Sequence, residues 1–224
     1  YYTAAVESML DSFENFFFVA AEPGGSVTVD KPPLGLWIEA VFAFFLGVNG
    51  FSVVLPNILS GLVSIPILYH LVRKYFGSGA GLVAGAVLVF TPIALAANRN
   101  NTMDGMLTLV LLPTAWCFIL AAESGKMRWL LLGGLMIGIG FNIKMLQVLL
   151  PVPAFYGFYL LAGKSGWWKK FIAICLSVVL AFVVSISWAV VVDLVPEENR
   201  PYIGSSEDNT VMELIFGLEL MEIL

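Results

Sequence analysis

Long apolar runs separated by short polar segments dominate this chain. A bilayer crossing needs about 20 mostly apolar residues, and the pattern predicts about six transmembrane helices, at residues 52–72, 81–98, 105–122, 128–143, 145–162 and 171–192. The fourth and fifth runs meet at Lys144, and one helix over both would be far longer than a bilayer is thick. A tight turn is therefore predicted there, and the fold class is an all-α, polytopic integral membrane protein.

The regions before and after these spans are predicted to lie outside the membrane core, at its surface. Residues 1–51 should hold an interfacial helix at 2–20, an extended stretch at 26–29 and a second interfacial helix at 34–48, which is short for a crossing. Residues 193–224 should form an external loop and the start of a further helix. The chain begins without methionine and ends inside an apolar pattern, so a piece of a longer protein is expected.

Composition indicates that the chain lies in a membrane, and the distribution of charge indicates which of its loops are cytoplasmic. Hydrophobic residues make up 59% and charged residues 12%, which excludes a soluble globular domain. With 34–48 at the interface, seven of the eleven Lys and Arg fall on one side, in short loops: Arg73, Lys74, Lys126, Arg128, Lys164, Lys169 and Lys170. The positive-inside rule makes that side cytoplasmic in a plasma-membrane protein. The net charge of −5 gives no basic surface for nucleic acid.

The most informative motif is Asp30-Lys31-Pro32-Pro33-Leu34, on the predicted extracytoplasmic side. One interpretation is a helix start, with the acid near the N-cap and proline in the first turn. The other is a site in which Lys31 binds a phosphate and Asp30 takes up a proton. The two interpretations are compatible, and the residues alone leave both open.

Two further polar positions lie on the same predicted side. The loop at residues 98–104 contains Arg99, Asn101 and Asp104 between two spans, where charges usually face a protein interior or a water-filled cavity. Alternatively, Arg99 and Asp104 only pair with each other and cap helices. Lys144 follows an apolar run and is either a site residue or a lysine that extends to the interface.

A third polar segment, at residues 197–209, contains Arg200 and Tyr202. Its length and polarity suit a loop that faces a substrate, and they suit a surface connection equally well. Spacing alone does not decide between the two.

Four segments, in the order found here, resemble a known family. They are Tyr1-Tyr2-Thr3-Ala4-Ala5-Val6, the run from Val29 through Trp37, Asn100-Asn101-Thr102-Met103-Asp104 and residues 138–144. The chain is similar to bacterial polyprenyl-phosphate-dependent glycosyltransferases of the GT-C fold. These are related to protein mannosyltransferases and aminoarabinose transferases, and the match is to the YkcA/YkcB-like branch.

The resemblance implies a GT-C helical bundle with external catalytic loops, which transfers a sugar from a polyprenyl-phosphate carrier to an extracytoplasmic glycan, lipid or protein by an inverting mechanism. It implies that Asp30 is the catalytic base, with Asp104 as its partner or substitute, although relatives often carry their key acid upstream of the Tyr-Tyr segment. Residues expected to bind the carrier phosphate are Lys31, Arg99 and Lys144. Those expected in the substrate loops are Asn101, Arg200 and Tyr202.

The apolar flank of the motif, with Leu34, Leu36 and Trp37, is expected to hold the prenyl tail. No resident metal or cofactor is predicted, although Asp30 and Asp104 could recruit a divalent cation. Two other functions stay open: a transporter or lipid flippase, whose charges would line a pathway, and an inactive membrane anchor. The chain alone is expected to be inactive, because about one transmembrane helix before Tyr1 and further sequence after Leu224 are expected to be missing.

Overall fold

The computed structural model describes residues 1–218 and is built almost wholly from helices. Within these residues, four helical stretches are long and apolar enough to cross a membrane: Gly50–Phe90, Asp104–Ser124, Met127–Leu149 and Trp167–Asp193. This confirms the predicted all-α, polytopic membrane fold. The predicted continuation of a helix towards residue 224 lies partly outside the described residues.

Ten α-helices are numbered in chain order. They are α1 (Tyr2–Met9), α2 (Phe13–Phe18), α3 (Pro33–Leu46), α4 (Gly50–Phe90), α5 (Pro92–Asn98), α6 (Asp104–Ser124), α7 (Met127–Lys144), α8 (Val152–Ala162), α9 (Trp167–Asp193) and α10 (Val211–Glu213). Two 3-10 helices, Met145–Leu149 and Glu197–Asn199, and a π-helical turn, Leu214–Leu218, complete the described chain.

The predicted first and second spans are the two halves of α4. Gly77 interrupts the helix with φ of 86°, a left-handed conformation that glycine adopts without steric cost. The second half ends at Phe90, and Thr91 leads into the short helix α5, so the predicted span 81–98 is broken. The predicted span 145–162 likewise comprises a 3-10 helix and α8.

Helices α7 and α9 lie side by side in the same direction and approach closely. Gly134 faces Ser177, and Gly138, one turn further along α7, faces Val184, two turns further along α9. The Asn142 amide then donates to the Val184 carbonyl oxygen at 2.9 Å. Small residues permit such close approach between membrane helices, where dispersion contacts replace the hydrophobic effect as the main attraction.

The predicted single helix at 2–20 is wrong, because the chain breaks after Met9 and restarts at Phe13. Ser12 accounts for the restart: its side chain accepts a hydrogen bond from the Asn15 backbone N–H at 3.0 Å, the usual role of an N-cap serine. The result is two short helices that can turn to follow the end of the bundle.

Helix α2 is attached to the bundle by two indole groups. Trp37 Nε1 of α3 donates to the Phe16 carbonyl oxygen at 2.7 Å, and Trp188 Nε1 of α9 donates to that of Phe17 at 3.1 Å. Carbonyls in the last turn of a helix have no partner within it. These two bonds therefore satisfy the end of α2 and fix it over α3 and α9.

The bundle separates the charged groups into two ends. Asn57 of α4 contacts Met106 of α6 near one end, whereas Lys74 and Glu123 form an ion pair of 2.6 Å near the other. The first half of α4 and α6 therefore run in the same direction. The motif at Asp30 and the polar loop at 98–104 belong to the Asn57 end, and the basic loops belong to the Lys74 end.

The α7–α9 contact predicts opposite effects for two glycine-to-alanine changes. A Cβ at Gly134 would overlap the backbone carbonyl oxygen of Ser177, whereas a Cβ at Gly157 of α8 would meet nothing within 4 Å. Gly134→Ala should lower the free energy of unfolding by about 1–3 kcal/mol through overpacking. Gly157→Ala should raise it by about 0.5–1 kcal/mol because alanine favours the helix.

Unfolding in detergent, followed by circular dichroism, measures both variants against the parent chain. Equal effects of the two substitutions would contradict the close α7–α9 contact.

Candidate functional site

The Asp30-Lys31 motif sits where an extended segment enters α3. The Val29 N–H donates to the Val19 carbonyl oxygen at 2.9 Å, so the segment runs back along the end of α2 as an extended chain. Pro32 is the N-cap with extended backbone angles, and Pro33 occupies the first turn of α3. The helix-start interpretation of the motif is therefore confirmed, and it places both charged side chains at the rim of the bundle.

Asp30 and Lys31 form a loose, half-buried pair. The distance between Lys31 Nζ and Asp30 Oδ2 is 3.6 Å, and the side chains are 25% and 34% exposed. Asp30 Oδ1 is buried, with no hydrogen-bond partner among the described residues. The Tyr1 phenol lies beside this carboxylate, and its pKa is raised first by burial and then by the charge of Asp30. Among the described residues, one carboxylate oxygen of Asp30 therefore has no donor.

Asp104 and Lys144 form the second acid–lysine pair, through Lys144 Nζ and Asp104 Oδ1. Asp104 lies in the first turn of α6 and Lys144 in the last turn of α7. Each charge therefore complements the dipole of its own helix. The predicted break after Lys144 is confirmed, because Met145 has a positive φ of 21° and a 3-10 helix follows.

The two pairs flank the first turn of α3. Met103, which precedes Asp104, packs its side chain so closely on Gly35 that a Cβ there would lie 3.1 Å from Met103 Cγ. Gly35 is four residues after Lys31. A side chain at this position would separate the start of α6 from the motif, so glycine is what lets the two polar segments approach.

An apolar groove of about 320 Å³ begins directly beyond Lys31. Pro33, Leu34 and Trp37 of α3 form one wall of this groove. Residues of α2, α7 and α9 form the others: Phe17, Ile139, Asn142, Val184, Ser187, Trp188 and Val191. Leu34 and Trp37 thus lie where the prenyl-tail hypothesis expects them. Leu36 does not, because it is fully buried in the core on the opposite side of α3.

Glu39 is a buried acid that sequence reasoning missed. It lies in α3 with no exposed surface, and the Asn101 amide nitrogen, in the orientation that satisfies the contact, donates to Glu39 Oε2 at 2.9 Å. Helix α3 is not among the membrane-spanning helices. Burial raises the pKa of Glu39 to about 8, against a smaller lowering by Asn101. The signal that could have identified Glu39 is its position as the single acid in the apolar run at residues 34–48.

The loop before α6 is held from inside the bundle. Asn57 of α4 is fully buried; its amide donates to the Asn100 carbonyl oxygen at 3.1 Å and accepts from the Met106 N–H at 3.3 Å. The next residue, Asn101, is bound to Glu39 and does not face an open surface. Its assignment as a substrate residue stays a prediction.

Arg99 takes a different direction from the other predicted phosphate ligands. It follows α5 and lines an apolar cavity of about 330 Å³ between α4 and α5. Lys31 and Lys144, by contrast, each face an acid at the α3 end of the site. The structure brings these two lysines to the same end of α3 and directs Arg99 elsewhere.

Arg200 holds the loop at 197–209 together instead of extending from it. Its side chain is 3% exposed and contacts Asp193 at 3.0 Å, and it donates to the carbonyl oxygens of Val192 and Asn209. Tyr202 remains half exposed. The Thr28 N–H donates to the Tyr202 carbonyl oxygen at 2.8 Å. The loop is thereby fixed beside the segment that leads to Asp30.

Within residues 1–218, no group of three or more His, Cys, Asp or Glu side chains is arranged to hold a metal ion. Recruitment of a divalent cation by Asp30 and Asp104 stays an open alternative, as it was from the sequence.

The helical bundle and its polar end define a class, the membrane proteins of GT-C fold. The fold matches two crystal structures of ArnT from Cupriavidus metallidurans, one in the apo state and one bound to undecaprenyl phosphate, with TM-scores of 0.63 and 0.61. Sequence identity is 22%, over 86% of this chain and 37% and 36% of those chains. This likeness concerns the fold alone.

The family follows from sequence. Residues 30–189 match the family described as dolichyl-phosphate-mannose-protein mannosyltransferase, and the chain belongs to that family. Two Bacillus subtilis proteins, named "Putative mannosyltransferase YycA" and "Putative mannosyltransferase YkcB", are 46% and 43% identical over 97% of this chain. The chain spans 32% and 30% of their lengths. The predicted family resemblance is confirmed.

The buried Arg200–Asp193 pair should be far more important for stability than the exposed Lys74–Glu123 pair. Arg200→Ala removes the cation that pairs with the half-buried Asp193, which keeps only the Val211 and Met212 N–H groups, and it removes the donor to two carbonyl groups. A loss of about 3 kcal/mol in unfolding free energy is therefore expected. Lys74→Ala should cost less than about 1 kcal/mol. Chemical denaturation in detergent compares the two variants. Equal losses of unfolding free energy would exclude a structural role for Arg200.

Glu39 should make stability depend on pH in a defined direction. Because its pKa is raised from 4.5 to about 8, the folded state retains a proton that the unfolded state releases. The free energy of unfolding should therefore fall as pH rises from 4.5 to about 8, by at most about 1.4 kcal/mol per pH unit. Glu39→Gln should remove this slope, whereas the exposed Glu7→Gln should leave it in place. Denaturation curves across the window decide the matter.

Proposed function

We propose that this chain carries the carrier-binding end of a membrane glycosyltransferase, which transfers a sugar from a polyprenyl phosphate to an acceptor on the extracytoplasmic side. Family membership supports the reaction class. The undecaprenyl phosphate bound by the ArnT structure of the same fold supports the carrier class. The observation that carries the proposal is the apolar groove that begins at Pro33, directly beyond the Asp30–Lys31 pair.

The groove and the motif match the two parts of a lipid-linked sugar. An isoprenoid chain is uniformly apolar, and Leu34, Trp37 and Trp188 offer it an apolar surface. The carrier phosphate is an anion, and Lys31 lies at the end of the groove, where attraction is stronger than in bulk water. Lys144 offers a second cation on the other side of α3.

The carboxylates suit a direct displacement. The acceptor oxygen would attack the anomeric carbon while the bond from that carbon to the phosphate oxygen breaks, and the phosphate would leave with the bonding electrons. The acceptor proton would pass to Asp30 or Asp104, which lowers the barrier for a weakly nucleophilic hydroxyl. Lys31 and Lys144 would stabilise the charge that develops on the phosphate. One displacement inverts the configuration at the anomeric carbon.

The charge distribution supports the orientation. The basic loops gather at the Lys74 end of the bundle, which the positive-inside rule assigns to the cytoplasm. The Asp30 and Asp104 pairs lie at the opposite end and would face the extracytoplasmic side. The acceptor would be a glycan, lipid or protein at that surface.

Sugar transfer from a polyprenyl-phosphate donor tests the proposal, in the chain together with any flanking sequence that the complete gene encodes. Lys31→Ala and Asp30→Asn should each reduce kcat/KM by about 100-fold or more, because each removes a charge at the reacting groups. Lys74→Ala removes a more exposed cation, which also pairs with an acid, at the other end of the bundle and should stay within about twofold of the parent.

Full activity in both motif variants would contradict the site. Movement of a labelled lipid across proteoliposomes without a covalent product would contradict the enzyme and favour a flippase. Loss of transfer on addition of a chelator would support recruitment of a divalent cation, and unchanged transfer would contradict it.

A further inference from the structure

Among residues 1–218, the elements packed on Glu39 bring no cation to it that would explain its burial. The part of α4 at residues 50–72 carries no Asp, Glu, Lys or Arg, and the acids of α1 and α2, Glu7 and Glu14, are exposed. On α7, Arg128 lies at the opposite end and Lys144 pairs with Asp104. A buried carboxyl group without a cation costs several kcal/mol relative to an apolar residue. Packing alone therefore does not account for Glu39.

Its contact leads directly to a proposed catalytic residue. Asn101, three residues before Asp104, is the hydrogen-bond partner of Glu39. The loop is fixed a second time by Asn57, which holds the Asn100 carbonyl and the Met106 N–H on either side of Asp104. Asp104 therefore lies between two buried attachments, one from α3 and one from α4.

The backbone between these attachments is strained. Met103 adopts a left-handed conformation with φ of 60°, which is uncommon for a residue with a side chain. Such conformations persist where surrounding contacts enforce them. Met103 precedes Asp104 directly, so the contacts that hold this turn also set where the Asp104 carboxylate meets Lys144.

We propose that Glu39 is a positioning residue, which holds the 98–104 loop through Asn101 and thereby fixes the Asp104–Lys144 pair against the first turn of α3. The part that concerns catalysis rests on the proposed glycosyl transfer. Loss of the contact would release the turn before α6 while leaving Asp104 and Lys144 in the chain. Catalytic rate would then fall because the carboxylate is displaced, with little change in carrier binding.

Hydrogen exchange with mass spectrometry tests the attachment without any enzymatic assay. In Glu39→Ala and Asn101→Ala, amides at residues 99–106 should exchange about tenfold faster than in the parent chain, because local opening costs less. Glu39→Gln keeps a side chain that can bond the Asn101 amide and should restore protection. Glu7→Gln, which changes an exposed acid of α1, is the matched control and should change nothing here.

Transfer kinetics then test the consequence. Glu39→Ala and Asn101→Ala should lower kcat by about tenfold or more with KM for the lipid donor within about threefold, and Glu39→Gln should recover most of the rate. Unchanged exchange in both alanine variants would overturn the attachment. Faster exchange with unchanged kcat would overturn the positioning role.

An absence of transfer in the parent protein, assayed together with its flanking sequence, would defeat the proposed function and leave the exchange result intact. If Glu39→Ala does not fold, Asn101→Ala, whose side chain is only partly buried, supplies the same test.

Discussion

Hydrocarbon does not solvate charge, and this constraint organises the whole molecule. Within the spans, polar side chains bond to nearby carbonyl groups: Ser64 to Ser60, Thr114 to Val110 and Ser177 to Leu130. Most charged side chains lie at the two ends of the bundle, where they meet water or one another, and the buried Glu39 of α3 is bonded to Asn101. The polar chemistry is therefore concentrated at two surfaces, and at the Asp30 end two acid–lysine pairs lie close to an apolar groove.

Helix α3 connects the parts of that end. It is too short to span a bilayer, so its apolar surface packs on the bundle while its first turn stays at the rim. Trp37 attaches it to α2, Gly35 admits Met103, and Glu39 holds Asn101. The groove and both acid–lysine pairs are arranged around this one helix, so a shift of α3 would change all of them together.

The sequence predicted those features that depend on local chemistry. Proline marks the start of α3, and long apolar runs mark the spans, since both signals act over a few neighbouring residues. The break at Ser12 was missed because the acids at 7, 11 and 14 continue a helical period through it, although a serine N-cap was a visible signal. The division at Gly77 fell in a gap between two predicted spans.

Tertiary contacts could not be predicted in the same way. Arg200 and Arg99 both stand in polar loops, yet one is buried against Asp193 and the other lines a cavity of α4 and α5. Glu39 acquires meaning only from Asn101, which is 62 positions away in the printed sequence. Local spacing along the chain does not indicate which distant residues meet, and only the folded bundle brings them together.

Exposure finally distinguishes cations that can bind a ligand from those that hold the fold. Arg200 makes its hydrogen bonds within the protein and is 3% exposed, so an incoming phosphate would have to displace a buried ion pair at a cost of several kcal/mol. Lys31 and Lys144 are 25% and 18% exposed and pair with acids that are themselves one-third open. Partly exposed pairs of this kind exchange partners at small cost. Under the proposed function, a carrier phosphate that recruits these lysines would release the paired carboxylates for the acceptor proton. The acid–lysine pairing would then couple carrier binding to the availability of the base.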